Sequence, residues 1–323
     1  MTRVLIMGGG GMVGQKLAYR LLDEGLNGAA CEITAHDIGF PENGAPVALQ
    51  ARGNLADAGV VEALAAEKFD MIFHLASIVS GQAETDFDLG WQVNMLPTWR
   101  LLEALRAERE TDPEYCPRFV FTSSIAVFGG PYPEKISDTF LSAPQTSYGT
   151  QKSICEGMIS DFSRKGFIDG MSIRLPTICV RPGKANLAAS SFFSGIIREP
   201  LNGMEAVLPV PDTVRHWHAS PRAAAGFLSH AAGLDTARLK GRRALNLPGV
   251  SCTVAEQIEA LREIAGNDVV ARIKPEPNED IKKIVEGWPR DFEPVRALDL
   301  GFRAEGSFKE IIEIYIEDDL KNA

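Results

Sequence analysis

Short apolar runs alternate along this chain with longer stretches in which apolar residues recur at helical spacing. Residues 4–7, 32–35, 71–75, 119–122 and 171–175 predict strands, and residues 15–24, 58–68, 93–108 and 148–165 predict helices. Strand and helix taking turns in this way predicts a parallel sheet wrapped by helices on both faces, a Rossmann-type doubly wound α/β fold. The rhythm changes near residue 180. Residues 181–211 are rich in Gly, Pro, Ser and Asn, and a second such stretch spans 274–294. The predicted organisation is a Rossmann domain of residues 1–180, taking in about 212–250 as well, and a smaller C-terminal substrate-binding region of 181–211 and 251–323. Residues 306–320 predict a last helix starting near Ser307.

Composition narrows the function classes. With 323 residues, 45% apolar and 24% charged, the chain can bury a core and lies far from the profile of disorder. Thirty-three basic against 43 acidic residues give a net charge of -10, which argues against a nucleic-acid or anionic-membrane partner. Five cysteines, scattered and without a C-x-x-C pair, support neither a disulfide framework nor a zinc site. No apolar run reaches the roughly 18 residues of a membrane span, and Gly8–Gly11 interrupt the only apolar stretch at the N-terminus. A cytoplasmic protein is expected.

Directly after the first predicted strand stand Gly8, Gly11 and Gly14, in the pattern G-x-x-G-x-x-G at the start of the first helix. With 30 glycines in the chain the bare pattern is weak evidence, and its placement carries the argument. Glycines there allow a tight turn and close approach of a pyrophosphate, whose charge meets the unpaired N–H groups of the helix start at Met12 and Val13. Asp37 closes the second strand, where a carboxylate can accept both ribose hydroxyls and would repel a 2'-phosphate, so NAD is expected over NADP. Asn54 and Leu55 fall where an adenine edge would lie.

Tyr148 and Lys152 form Y-x-x-x-K, one turn apart on one helix face. Ser123 and Ser124 end the strand 119–122, at the sheet edge where open α/β folds bind ligands. A phenol ionises near pH 10 in water and is a poor base at neutrality, but a neighbouring ammonium favours its phenolate. In this constellation Lys152 supplies the ammonium, Tyr148 is the base, and the Ser124 hydroxyl holds the substrate oxygen while hydride leaves the same carbon for the dinucleotide.

These residues resemble the extended short-chain dehydrogenase/reductase group, the NAD-dependent epimerase/dehydratase family. The resemblance covers nearly the whole chain and rests on the Gly8, Gly11, Gly14 turn, Asp37, His74-Leu75-Ala76, Asn94, residues 121–129 with Ser124, Tyr148 with Lys152, and residues 174–183. It implies that Leu75, Ala76 and Ser77 line the cofactor cleft, that Asn94 belongs to the cofactor site, that Lys152 also contacts the nicotinamide ribose, and that Pro176 and Ile178 lie near the nicotinamide amide. Asn54 departs from the usual Asp. It also implies a homodimer through a four-helix contact, for which Leu96, Ile154, Met158 and Phe162 are candidates.

Residues 174–183, 188–193 and 197–201 resemble members of the group that oxidise the C2 hydroxyl of a four-carbon sugar acid to a 2-oxo acid. A small sugar-acid substrate in so acidic a protein needs donors. Ser190 and Ser191 are candidates with Arg181, Arg198 and Arg222, although an arginine is more often part of an ion pair. His216 and His218 alternate on a predicted strand and share a face. No third ligand at suitable spacing accompanies them, so no metal is expected. Three rivals keep the same fold: a nucleotide-sugar 4-epimerase or dehydratase, a uronate dehydrogenase-like oxidoreductase, and a non-catalytic NAD-sensing regulator. The regulator is disfavoured by the Tyr148–Lys152 pair, and a dehydratase by Ser123-Ser124-Ile125 where an acidic pair would stand.

Overall fold

Hydrophobic runs too continuous to alternate faces belong to strands covered on both sides, and the central sheet is built from them. The computed structural model describes residues 1–183 and 189–320; Ala188, the first residue of the 188–193 segment quoted above, lies outside the described residues. By packing the chain forms two units.

The first unit comprises Met1–Val127, Pro144–Arg174 and Ala225–Leu245. Its sheet has seven strands in the order Ala244–Asn246, Asp169–Leu175, Arg118–Ser124, Met71–His74, Thr2–Met7, Cys31–Asp37, Leu49–Arg52. The pairs of Thr2–Met7 with Cys31–Asp37 and with Met71–His74 run parallel. All five predicted strands are present, each extended by one to three residues at its ends or, for Met71–His74, one shorter. The core on one face of the sheet joins Leu5, Met7, Ile72, Phe119 and Phe121 of the strands to Leu101, Leu102, Leu105, Cys155 and Ile159 of the helices. Strand order reverses beside Thr2–Met7: the chain goes first to Cys31–Asp37 on one side, then to Met71–His74 on the other. At such a switch point the crevice beyond the strands' carboxyl ends receives ligands.

Two elements differ from the sequence reading. The single helix expected over 93–108 is two helices, Phe87–Asn94 and Leu96–Thr111, meeting at Met95. Pro97 has no N–H to donate to the preceding turn and restricts the residue before it, so it starts a new helix. The edge strand Leu49–Arg52 was not anticipated; it is mostly exposed and polar and is held by its pairing with Thr34–Asp37.

The second unit comprises Phe128–Ala143, Leu175–Ala224 and Asn246–Ala323. Residues 128–143, 175–180, 212–224 and 246–250, expected in the Rossmann domain, pack here. Strand pairing explains this: Ile136–Ser137 pairs with Phe292–Glu293, and Arg215–Ala219 pairs with both Thr177–Ile178 and Val250–Thr253. Cys179, Phe193, Ile196, Val254, Leu261 and Ile312 form its core. The expected last helix is Phe308–Tyr315, capped by Ser307, whose hydroxyl accepts from Glu310 N–H. Among the described residues no helix is long and apolar enough to cross a membrane.

Candidate active site

The turn between the first strand and helix Met12–Glu24 leaves no room for side chains. A Cβ on Gly10 would stand 1.9 Å from the Gly39 carbonyl oxygen, and one on Gly14 2.2 Å from that of Gly8. Gly8 has φ of +87° and lies against the Ala76 backbone. Gly11, extended, precedes the helix start at Met12, with no side chain capping the first N–H groups and no acid in the first turn. A backbone cradle with unspent donors at a helix start is what a pyrophosphate requires, so an NAD-type dinucleotide fits.

Asp37 is oriented from two sides: one carboxylate oxygen accepts Gly10 N–H at 2.9 Å and the other accepts Ile38 N–H at 2.7 Å. Each oxygen keeps a further lone pair for a ribose hydroxyl. Gln15, which the sequence reading passed over, ties the turn to the loop beyond Asp37: its amide donates to Gly9 O and its carbonyl accepts Ala45 N–H. Asn54 accepts Ala56 N–H in a turn of its own, and Leu55 is buried in the core. Leu75 and Ala76 both donate N–H to Met7 O, Ser77 is exposed, and the segment is pinned from below by Asn94. Asn94, buried, accepts Ile78 N–H at 2.8 Å and donates to Gln151 at 2.8 Å, so its part in the site runs through the segment it holds.

Tyr148, Lys152 and Ser124 come together in the first unit. Thr146 caps helix Ser147–Arg164 by accepting Gly149 N–H, and Glu84 accepts Ser147 N–H at 2.9 Å. A Cβ on Gly149 would lie 2.1 Å from Ala126 O, so glycine there seats the helix start against the turn following Ser124. Ser124 Oγ accepts Ala126 N–H at 3.1 Å and retains its proton to donate. Lys152 is 1% exposed; its Nζ donates to Thr122 O at 2.9 Å and lies 5.5 Å from the Tyr148 ring centre and 4.6 Å from that of Phe121. Beside it His74 is kept neutral, pushed down to about 3 by burial and then by the Lys152 charge. Burial pushes the Cys155 thiol up to about 11. Glu156 is missed from sequence, and with it the role of Ser123, whose hydroxyl donates to Glu156 at 2.5 Å. A charged residue at helical spacing from Lys152 on an inward face was the available signal.

The remaining candidates belong to the second unit. Arg181 and Ser190 are brought together: Arg181 Nη2 donates to Ser190 Oγ at 2.8 Å and Nε to Ile178 O at 2.9 Å. Pro176, Ile178 and Ser190 are buried, and Ser191 opens helix Ser191–Leu201. The other two arginines are committed to acids, Arg198 to Glu199 at 2.5 Å and Arg222 to Glu317 at 2.7 Å and to Asp318. His216 and His218 do share a face. His216 contacts Thr177 Oγ1 at 2.6 Å and Pro289 O at 3.0 Å, and His218 contacts Gln257 at 2.9 Å. Burial pushes His216 down to about 4 and His218 well below its ordinary range.

Fold and site define an enzyme class: a dinucleotide-binding α/β protein with a lysine-supported tyrosine at the sheet's carboxyl edge. The chain belongs to the NAD dependent epimerase/dehydratase family, whose profile matches residues 4–218. A D-erythronate dehydrogenase from Cupriavidus necator is 46% identical over 322 residues, 98% of each chain. Another from Haemophilus influenzae is 42% identical over 320 residues, covering 98% of this chain and all of that relative. A crystal structure described as a nucleoside-diphosphate-sugar epimerase from Agrobacterium tumefaciens superposes with a TM-score of 0.95 at 54% identity, covering 100% of this chain and 95% of that one.

Proposed function

We propose that this enzyme oxidises the C2 hydroxyl of a small sugar acid with NAD, D-erythronate giving 2-dehydro-D-erythronate. The carrying observation is the Tyr148–Lys152 pair, on a helix whose start Gly149 seats against the turn following Ser124, in the unit that also carries the glycine cradle. The two nearly full-length relatives named D-erythronate dehydrogenase support this substrate.

Bound NAD supplies a two-electron acceptor for the hydride that leaves C2. The cradle of Gly8, Gly11 and Gly14 with Met12 and Val13 N–H takes the pyrophosphate, and Asp37 takes the adenosine ribose. Asn54, Leu75, Ala76 and Ser77 complete the first unit's share of the cofactor site. Ser124 donates its proton to the substrate oxygen and orients it. Tyr148, with the Lys152 ammonium 5.5 Å from its ring centre, removes the hydroxyl proton as C2–O becomes a carbonyl. In the second unit Arg181, with Ser190 and Ser191, is the proposed carboxylate-binding group, since a guanidinium offers the planar fork a carboxylate prefers. The reading carries with it a cytoplasmic homodimer using the exposed Leu96 and Ile154; Met158 is half-buried and Phe162 belongs to the core instead. A monomeric mass by sedimentation would remove the dimer.

The test is NADH formation on a panel of aldonates, uronates and UDP-sugars. D-Erythronate turnover with stoichiometric NADH, abolished in Tyr148→Phe while NAD still binds, is expected. Activity retained in Tyr148→Phe sinks the mechanism, and interconversion of a UDP-sugar without net NADH sinks the substrate assignment in favour of an epimerase.

A further inference from the structure

Helix Ser147–Arg164 presents three functional side chains at intervals of four, Tyr148, Lys152 and Glu156, stacked on one face. Glu156 is 6% exposed. Arg174, on strand Asp169–Leu175, grips it with two bonds, Nε to Oε1 at 2.9 Å and Nη2 to Oε2 at 2.6 Å. Ser123 Oγ donates to the same carboxylate at 2.5 Å. Ser123 stands between Thr122, whose carbonyl holds the Lys152 ammonium, and Ser124, the proposed substrate donor.

A buried ion pair is seldom the most stable filling for its space; apolar side chains of like volume usually serve as well or better. What the pair does here is set by its neighbours. A bare carboxylate at Glu156 would face Lys152 one turn away and compete with the Tyr148 phenolate for the ammonium's field. A bare guanidinium at Arg174 would add a second positive charge behind the phenol.

Resting on the reading above, we propose that Glu156 and Arg174 are positioning residues for the oxidation. They hold the strand end that carries Thr122 and Ser124, and their mutual neutralisation leaves the Lys152 charge directed at Tyr148. The groups facing Lys152 are few. Tyr148, Cys155 and Glu156 lie on its own helix, His74 on strand Met71–His74, the Phe121 ring and Thr122 carbonyl on strand Arg118–Ser124, and Arg174 reaches Glu156 from strand Asp169–Leu175. Between pH 6 and 10 His74 and Cys155 stay neutral and add no charge beside Lys152.

The experiment compares Glu156→Gln with Arg174→Gln. Two readouts are taken: the pH at the midpoint of the rising limb of kcat/KM, and the pH of phenolate absorbance near 295 nm in the cofactor-free protein, read as the difference from the matching variant that also carries Tyr148→Phe. Removing the carboxylate leaves a net positive neighbour, and removing the guanidinium a net negative one. The Glu156→Gln midpoint should therefore lie below that of Arg174→Gln by about one pH unit or more, for unit charges some 6–12 Å from the phenol in a medium of effective dielectric about 20. The double variant Glu156→Gln/Arg174→Gln, neutral and near-isosteric, should return to the wild-type midpoint and guards against loss of fold in either single variant. Arg174→Lys keeps the charge but not the fork, and should lower kcat with the midpoint unmoved. Equal midpoints in the two single variants, or a displaced midpoint in the double variant, overturn the proposal. If Tyr148→Phe is inactive in the same series, only the positioning role has failed; if Tyr148→Phe is active, the catalytic reading itself has failed.

Discussion

Lowering the pH is a stringent test of how this protein is packed, because four histidines are buried and burial pushes all four below their ordinary range, His36 the least and His74, His216 and His218 far. His74 and His218 are fully buried and His216 is 2% exposed; His74 is pushed down to about 3, His216 to about 4 and His218 well below its ordinary value. In the unfolded chain each ionises near pH 6.5. A folded value below the unfolded one means that the stabilisation is complete above pH 6.5 and is lost as acid protonates the unfolded state first. At pH 5 the loss is about 2 kcal/mol for each of these three relative to pH 8. The first unit, holding His74, is thus weakened by at least about 2 kcal/mol, the smaller shift of His36 adding in the same direction, and the second, holding His216 and His218, by about 4 kcal/mol, large fractions of an ordinary 5–15 kcal/mol. The assay is urea unfolding at half-unit steps between pH 8 and 5, followed by circular dichroism and by tryptophan fluorescence, since Trp217 and Trp288 report on the second unit and Trp91 and Trp99 on the first. His218→Gln should halve the second unit's slope, from about 2.7 to about 1.4 kcal/mol per pH unit. Stability that stays flat from pH 7 to 5, or a variant slope equal to the parent's, refutes the reasoning.

Gly10→Ala places a methyl group against the Gly39 carbonyl and displaces the N–H that Asp37 accepts. NAD affinity by calorimetry should fall at least tenfold, and unchanged binding would show that the cradle is misassigned. Arg181→Met removes a charge-assisted donor worth about 1.5–3 kcal/mol, so KM for D-erythronate should rise between about 10-fold and 150-fold with NAD affinity intact; an unaltered KM would exclude Arg181 as the carboxylate ligand.

The parts of this protein legible from sequence are those governed by local periodicity. The five inner strands announce themselves because both faces are buried, leaving unbroken apolar runs such as Val4–Met7. Leu49–Arg52 does not, because an exposed edge strand is held by its partner's backbone and needs no apolar pattern. The break at Met95 was written in Pro97, but the apolar spacing on either side masked it. At the site, Tyr148, Lys152 and Ser124 were visible as residue types in fixed spacing. Gln15 and Gly149 acquire their meaning from loops distant in sequence, which spacing cannot reveal, and Glu156, though its spacing from Lys152 was a signal, takes its role from Ser123 and Arg174 on two strands. The arginines make the same point: Arg181, Arg198 and Arg222 look alike as letters, and only folding shows that Arg198 pairs with Glu199, Arg222 with Glu317 and Asp318, and that Arg181 reaches Ser190.

The double grip on Asp37 bears on attempts to switch this enzyme to the phosphorylated coenzyme. Mutating that position to a small neutral residue would relieve repulsion toward the extra phosphate, yet it would also strip Gly10 and Ile38 of the acceptors that keep the nucleotide loop in shape. Retargeting therefore calls for a compensating acceptor, such as Asn or Ser, together with a new cation further along the loop. Charge reversal alone would yield a protein poor with either coenzyme.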